Sequence, residues 1–208
     1  MKVPRLYVIA DAGVLAGRGV ELRVFAEELR AGGVGLVQWR DKVGSVEDVL
    51  RGAGVLREVF AETECRLILN DAAGFVGMTG FGGVHVGQGD LGVEEARALV
   101  GVEAWVGIST HTDAQVQLAD LTSANYVAVG PVFATGTKPD AEPVIGLEGV
   151  RRARALTGKS IVAIGGITRE NARSVVEAGA DSVAVISGLL VLGESVEKVA
   201  RDFLSVLG

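Results

Sequence analysis

Eight short runs of Val, Ile and Leu recur along the chain. Between them lie stretches in which apolar residues return every three or four positions. The runs are Leu6–Ala10, Gly35–Trp39, Arg66–Leu69, Gly83–Val86, Ala104–Ile108, Tyr126–Val129, Ile161–Ile164 and Ser182–Ile186. They are apolar on both faces, as parallel strands must be when helices cover the sheet. Eight β/α units in 208 residues, with no Pro/Ser linker between them, predict one α/β domain spanning 1–208 and folded as a (β/α)8 TIM barrel. A doubly wound open sheet is the alternative.

The intervening segments carry their own start signals. Leu22, Phe25, Ala26 and Leu29 put one apolar face on a first helix. Ser45 with Asp48 reads as a capping box, and Val49, Ala53, Leu56 and Phe60 continue that helix's buried face. Thr112 and Thr168 stand where N-caps belong. Val196, Val199, Ala200, Phe203, Leu204 and Leu207 form the stripe of a closing helix. Residues 72–80 are short and Gly-rich, so the helix there is expected to be weak. Thirty glycines suit a fold with this many tight connections.

A net charge of −6 and a pI near 5.0 argue against a nucleic-acid binder. They leave room for an anionic small molecule, because a few local cations decide that. Cys65 is the only cysteine, which excludes an intrachain disulfide and a cysteine metal cluster. Its place before Leu67-Ile68-Leu69 reads as strand packing. The N-terminus lacks the pattern of a signal peptide, and no apolar run approaches the roughly 20 residues that cross a bilayer. A cytoplasmic chain with no membrane partner is expected, and a homo-oligomer is compatible with the sequence.

Barrel enzymes carry their chemistry on the C-terminal ends of the strands. Seven of the eight runs here lead into unusual polar groups. The second enters Gln38-Trp39-Arg40-Asp41-Lys42, the third Asn70-Asp71, the fourth His85-Val86-Gly87-Gln88-Gly89-Asp90, and the fifth Ser109-Thr110-His111-Thr112. The sixth leads into Gly130–Lys138, the seventh into Gly165-Gly166, and the eighth into Ser187-Gly188. The last two suit a phosphate cradle, since glycine lets backbone approach an anion closely; a tight turn needing positive φ is the competing explanation. Arg40 and Lys42 after the second run, with Lys138 after the sixth, could neutralise a diphosphate. Asp71 and Asp90, on adjacent strand ends, supply two hard oxygens for an octahedral Mg²⁺ whose shell diphosphate and water would complete. A helix cap for Asp90 and an Asx turn for Asp71 are the plainer readings. His85 and His111 are candidates for acid/base work, with a satisfied structural histidine as the plainer reading of each.

Jointly these segments resemble the thiamine-phosphate synthase family. The resemblance rests on Gln38-x-Arg40-x-Lys42, Asn70-Asp71, His85-Val86-Gly87-Gln88-x-Asp90, Ile108–Thr112, Gly130-Pro131-Val132-Phe133-x-Thr135-x-Thr137-Lys138, Ala163–Ile167 and Gly179–Ser187, in the family's order. It implies that Gln38, Arg40, Lys42 and Asn70 contact a pyrimidine diphosphate, with Ser109 and Lys138 facing the same substrate. Asp71 and Asp90 would hold Mg²⁺. Thr135, Gly136, Thr137, Gly166, Ile186 and Ser187 would bind a thiazole phosphate. The implied reaction is a dissociative substitution in which Arg40, Lys42, Lys138 and Ser109 serve catalysis and no protein nucleophile is needed. Two positions depart from the family pattern: Ala72-Ala73-Gly74 follows the Asn-Asp pair where a basic residue is common, and Gly89 replaces a larger polar residue. The related thiazole tautomerase is one rival reading, disfavoured by Pro131 and the Thr135–Lys138 run. A non-catalytic phosphate-binding barrel is another.

Overall fold

The computed structural model describes residues 2–136 and 142–208. Each predicted run lies on a strand: β1 (Leu6–Asp11), β2 (Leu36–Arg40), β3 (Arg66–Asn70), β4 (Gly83–Val86), β5 (Trp105–Thr110), β6 (Tyr126–Val129), β7 (Ser160–Ile164) and β8 (Ser182–Val185). All pairs are parallel, and β8 returns to β1 with Leu6 opposite Val183, closing the sheet into a (β/α)8 barrel. Closure removes the open-sheet alternative and leaves no exposed edge.

Several strands run further toward their C-termini than the apolar runs suggested. Asp11 pairs in register with Arg40, Asn70 with His85, and Ser109 with Ala128. These polar groups therefore stand on the sheet itself rather than on loops beyond it. Alternation sends one set of side chains inward: Tyr7 and Ile9, Leu36, Ile68, Tyr126 and Ala128, Val162 and Ala184 fill the barrel. The opposite set, including Leu6, Val8, Val37 and Trp39, packs beneath the helices.

The helices follow their signals with two exceptions. A short helix, α1 (Ala12–Gly17), precedes α2 (Leu22–Ala31), whose Phe25, Ala26 and Leu29 are buried as the spacing predicts. The α3 helix (Val46–Val59) opens with the full capping box: the Asp48 N–H donates to Ser45 Oγ at 3.2 Å and the Ser45 N–H to Asp48 Oδ2 at 3.0 Å. The weak third unit is a 3-10 turn at Ala73–Phe75 and a single turn, α4 (Val76–Thr79), ended by Gly80 at φ 69°. Then come α5 (Val93–Val100), α6 (Asp113–Asp120) with Thr112 as its cap, and α7 (Gly146–Leu156).

Thr168 is not an N-cap. The α8 helix (Ala172–Glu177) starts after Asn171, whose Oδ1 accepts the Thr168 N–H at 2.8 Å and ties off a turn first. The closing α9 (Val196–Leu207) buries the expected stripe, apart from a half-buried Leu204. Among the described residues, no helix is long and apolar enough to cross a membrane.

Candidate active site

A cavity of about 420 Å³ opens at the C-terminal mouth of the barrel. Of the predicted site residues, Gln38, Arg40, Asn70, Ser109, Thr135, Gly136, Gly166, Ile186 and Ser187 line it. Lys42, Asp71 and Asp90 are not in its wall; they form a charged corner alongside, which Asn70 joins to the cavity. Thr137 and Lys138 lie outside the described residues.

The corner is built on a distorted backbone. Asp71 sits at φ 59°, its N–H donating to the His85 carbonyl at 2.8 Å, and the next two N–H groups turn back onto Asn70 and Asp71. A non-glycine residue in this conformation costs of order 1–3 kcal/mol, held by its surroundings. Asp71 Oδ2 accepts from Asn70 Nδ2 at 2.6 Å and from the Lys42 ammonium. Lys42 thus brings the cation that Ala72-Ala73-Gly74 does not supply. Gly89 is exposed with open space where a side chain would project.

Asp90 does not cap α5; that position is Gly92, whose N–H Glu95 accepts. Instead Asp90 Oδ2 accepts the Gly87 N–H at 2.9 Å and reaches the Asp71 carboxyl. Burial is the main cause raising the Asp71 pKa, Lys42 opposes it, and neighbouring Asp90 adds to it. Burial also acts upward on Asp90, but hydrogen bonds from Asp71 and Gly87 and the charge of Lys42 outweigh it, so its net shift is downward. Where the pair shares a proton, Asp71 carries it.

Two crowded carboxylates on adjacent strand ends are hard-oxygen donors that a divalent cation would relieve of their mutual repulsion, and in that respect they suit Mg²⁺. Among the described residues they are not joined by a third acidic, His or Cys ligand. The chain offers a partial shell, to be completed by oxygens it does not itself provide.

The first strand supplies a site residue that the sequence reading passed over. Asp11, 5% exposed, forms an ion pair with Arg40 across β1 and β2 and accepts the Val14 N–H at 2.9 Å as the cap of α1. It fixes the direction of the guanidinium. The usable signal was an acid immediately after an apolar run, which gives the first strand a polar end like those of β2, β3 and β5.

A second set lies inside the barrel, joining the expected Gln38 and Ser109 through Tyr7, Tyr126 and His85, a connection the sequence did not reveal. Gln38 Nε2 donates to Tyr7 Oη at 2.8 Å, Tyr7 meets Tyr126 Oη at 3.0 Å, and Tyr126 meets His85 Nδ1 at 3.1 Å. His85 Nε2 then lies 2.9 Å from Ser109 Oγ. Burial raises both phenol pKa values, Tyr7's and Tyr126's, so the hydroxyls stay protonated. On β5, Gly107 makes the room: a Cβ there would fall inside the Tyr126 ring. His111, also at the cavity wall, holds the Gly130 carbonyl through Nδ1 at 2.7 Å.

At the far side of the cavity, Gly165 and Gly166 have φ of 103° and 62°. A Cβ on Gly165 would meet Pro131 Cβ at 2.6 Å, and one on Gly166 the Ala134 carbonyl at 2.5 Å. Both glycines are thus required by the turn and by its contact with the β6 loop. The same geometry leaves backbone, not side chains, facing the cavity beside Ser187 and Gly188.

A family model described as thiamine monophosphate synthase matches residues 6–189. The chain belongs to the thiamine monophosphate synthase family. A thiamine-phosphate synthase of Koribacter versatilis is 49% identical, over 100% of this chain and 97% of its own. One from Chloroflexus aurantiacus is 41% identical, over 95% and 90% respectively. The solved structure of a thiamine phosphate pyrophosphorylase from Pyrococcus furiosus superposes with a TM-score of 0.85 at 30% identity, covering 98% of this chain and 95% of that one. The span matched by the family model holds every residue of the cavity and corner, whereas α9 lies beyond it.

Proposed function

We propose that this family member is a thiamine-phosphate synthase. It joins 4-amino-2-methyl-5-(diphosphooxymethyl)pyrimidine to a thiazole phosphate, giving thiamine phosphate and diphosphate. The observation that carries the reading is the division of the barrel mouth: Arg40 and Asn70 in the cavity wall beside the charged corner of Lys42, Asp71 and Asp90 at one side, and the glycine-lined turns after β7 and β8 at the other. Two anionic groups on two substrates need such a division. The names of the full-length relatives support the substrate assignment.

In this mechanism the bond between the pyrimidine methylene carbon and the diphosphate oxygen breaks first, with the electron pair leaving on diphosphate. The thiazole nitrogen then donates its lone pair to the methylene cation, forming the C–N bond. Arg40, held by Asp11, and Lys42 neutralise the departing charge, and Lys138 joins them by the family resemblance. Asp71 and Asp90 would hold Mg²⁺, which when bound supplies further charge neutralisation for the leaving diphosphate. Gln38, Asn70 and Ser109 orient the pyrimidine. Thr135, Gly136, Thr137, Gly166, Ile186 and Ser187 hold the thiazole phosphate. With no protein nucleophile in the path, catalysis rests on proximity of two bound substrates and on electrostatics. Substrates of this charge do not cross membranes unaided, which supports a cytoplasmic location.

The test is formation of thiamine phosphate from both substrates with and without Mg²⁺. Metal-dependent coupling is expected; thiazole phosphate binding without coupling under either condition would defeat the reading and leave a phosphate-binding barrel.

A further inference from the structure

The hydrogen bonds inside the barrel have a direction. The Gln38 amide nitrogen can only donate, so Tyr7 Oη accepts from it. Tyr7 has one proton left to place, and Tyr126 is its other partner, 3.0 Å away. Tyr7 is 1% exposed, so any other assignment would strand a phenolic proton in the core. The Tyr126 proton, by the same count, goes to His85 Nδ1. An Nδ1 that accepts leaves the proton of a neutral imidazole on Nε2, which donates to Ser109 Oγ.

We propose that Tyr126 is a positioning residue for the site: it holds His85 in the Nε2–H tautomer and thereby turns the Ser109 hydroxyl proton toward the cavity. Tyr126 is fully buried and is not part of the cavity wall, so it acts through its two partners, His85 on one side and Tyr7 on the other. Gln38 and Ser109, the two ends of the chain, both line the cavity. The order is therefore reversible as a unit. Turning the Gln38 amide over would present its oxygen to Tyr7, reverse every proton, and make Ser109 donate to His85 Nε2, leaving only its lone pairs for the cavity. What Gln38 faces thus decides what Ser109 offers. This deepens the functional reading above, on which it rests for one point: the atom receiving the Ser109 proton is an acceptor nitrogen of the pyrimidine ring or an oxygen of its diphosphate.

The chain has two histidines, which makes the tautomer directly measurable. In protein labelled with ¹⁵N-histidine, a long-range ¹H–¹⁵N correlation at neutral pH should show His85 protonated at Nε2. His111, whose Nδ1 must donate to the Gly130 carbonyl, should show the opposite pattern and serve as the internal contrast. An Nδ1–H or doubly protonated His85 overturns the proposal, and this measurement needs neither substrates nor activity.

Tyr126→Phe should give a mixed His85 tautomer and raise KM for the pyrimidine substrate roughly five- to tenfold, the scale of one neutral hydrogen bond. KM for the thiazole phosphate should stay within twofold. Tyr7→Phe breaks the same chain one link earlier and should give the same pattern, which keeps the test available if Tyr126→Phe does not fold. An unchanged tautomer in the folded variant, or equal rises in both KM values, overturns the assignment. A parent protein that shows the Nε2–H tautomer but no coupling would sink the functional reading alone.

Discussion

The charged corner and the buried chain both end at the cavity, and they are made in opposite ways. The corner gathers ions on loops: Lys42 is about half exposed, and Asp71 is held in a left-handed conformation by three neighbours. The chain is built of neutral groups on strands, with Tyr7 and Tyr126 out of solvent altogether. Charge near water can be rearranged cheaply when an anion or cation arrives. Uncharged groups sealed in a barrel keep one of two proton orders, since every donor there must find an acceptor. One region answers to charge and the other to hydrogen-bond polarity.

Asp90→Ala should produce the largest effect that separates the two. Coupling is expected to fall by about 100-fold, as for removal of a preorganised electrostatic group, while thiazole phosphate affinity, measured by calorimetry, changes less than twofold. Equal losses of both would mean that Asp90 supports the fold through Gly87 and not the reaction.

Asp11→Asn probes the border, because Arg40 lines the cavity beside the charged corner while it and its anchor both stand on strands. The amide can still cap α1, so the change removes the ion pair selectively. A roughly tenfold drop in kcat/KM is expected, with a loss of about 2 kcal/mol in urea unfolding, less than for a fully buried pair because Arg40 keeps some solvent. A stability loss with unchanged kinetics would show that Arg40 needs no anchor.

Cys65 gives the smallest effect and a control for burial at the other end of the barrel. Burial pushes its thiol up to about 12 from 9.0, so the neutral form is favoured by folding. It should therefore add no pH dependence to stability below about 9 and weaken the fold as pH rises from there toward 12. Alkylation by iodoacetamide at pH 8 should be far slower in the native protein than in guanidinium, and activity should be untouched by Cys65→Ser. Rapid native alkylation would show that this end of the barrel opens.

The strand count and the charged corner could be read from residue types, because Val/Ile runs have few other uses and acids and bases after them have fewer still. Asp11 escapes the pattern because the apolar run Leu6–Ala10 stops one residue short of the position that pairs with Arg40. The tyrosine chain was harder. Tyr, Gln, His and Ser carry no motif at separations of 31, 119, 41 and 24 residues; only parallel register brings them together. A tyrosine in an apolar run looks like core, and here it is core as well. The short α1 was hidden by Gly13 and Gly17, poor helix formers that its cap at Asp11 compensates. Thr168 misled because a side chain three residues on satisfied the turn.

Gly107 leaves one more consequence, for how such a chain can change over generations. Its missing side chain is the space that the Tyr126 ring occupies. A substitution at 107 is barred while the ring is present, and shrinking residue 126 first would open a void that only a later gain at 107 could fill. The two positions form an ordered pair: 126 must move before 107. Lineages that keep Tyr126 should show glycine there, and a reversal becomes inaccessible once position 107 has been filled.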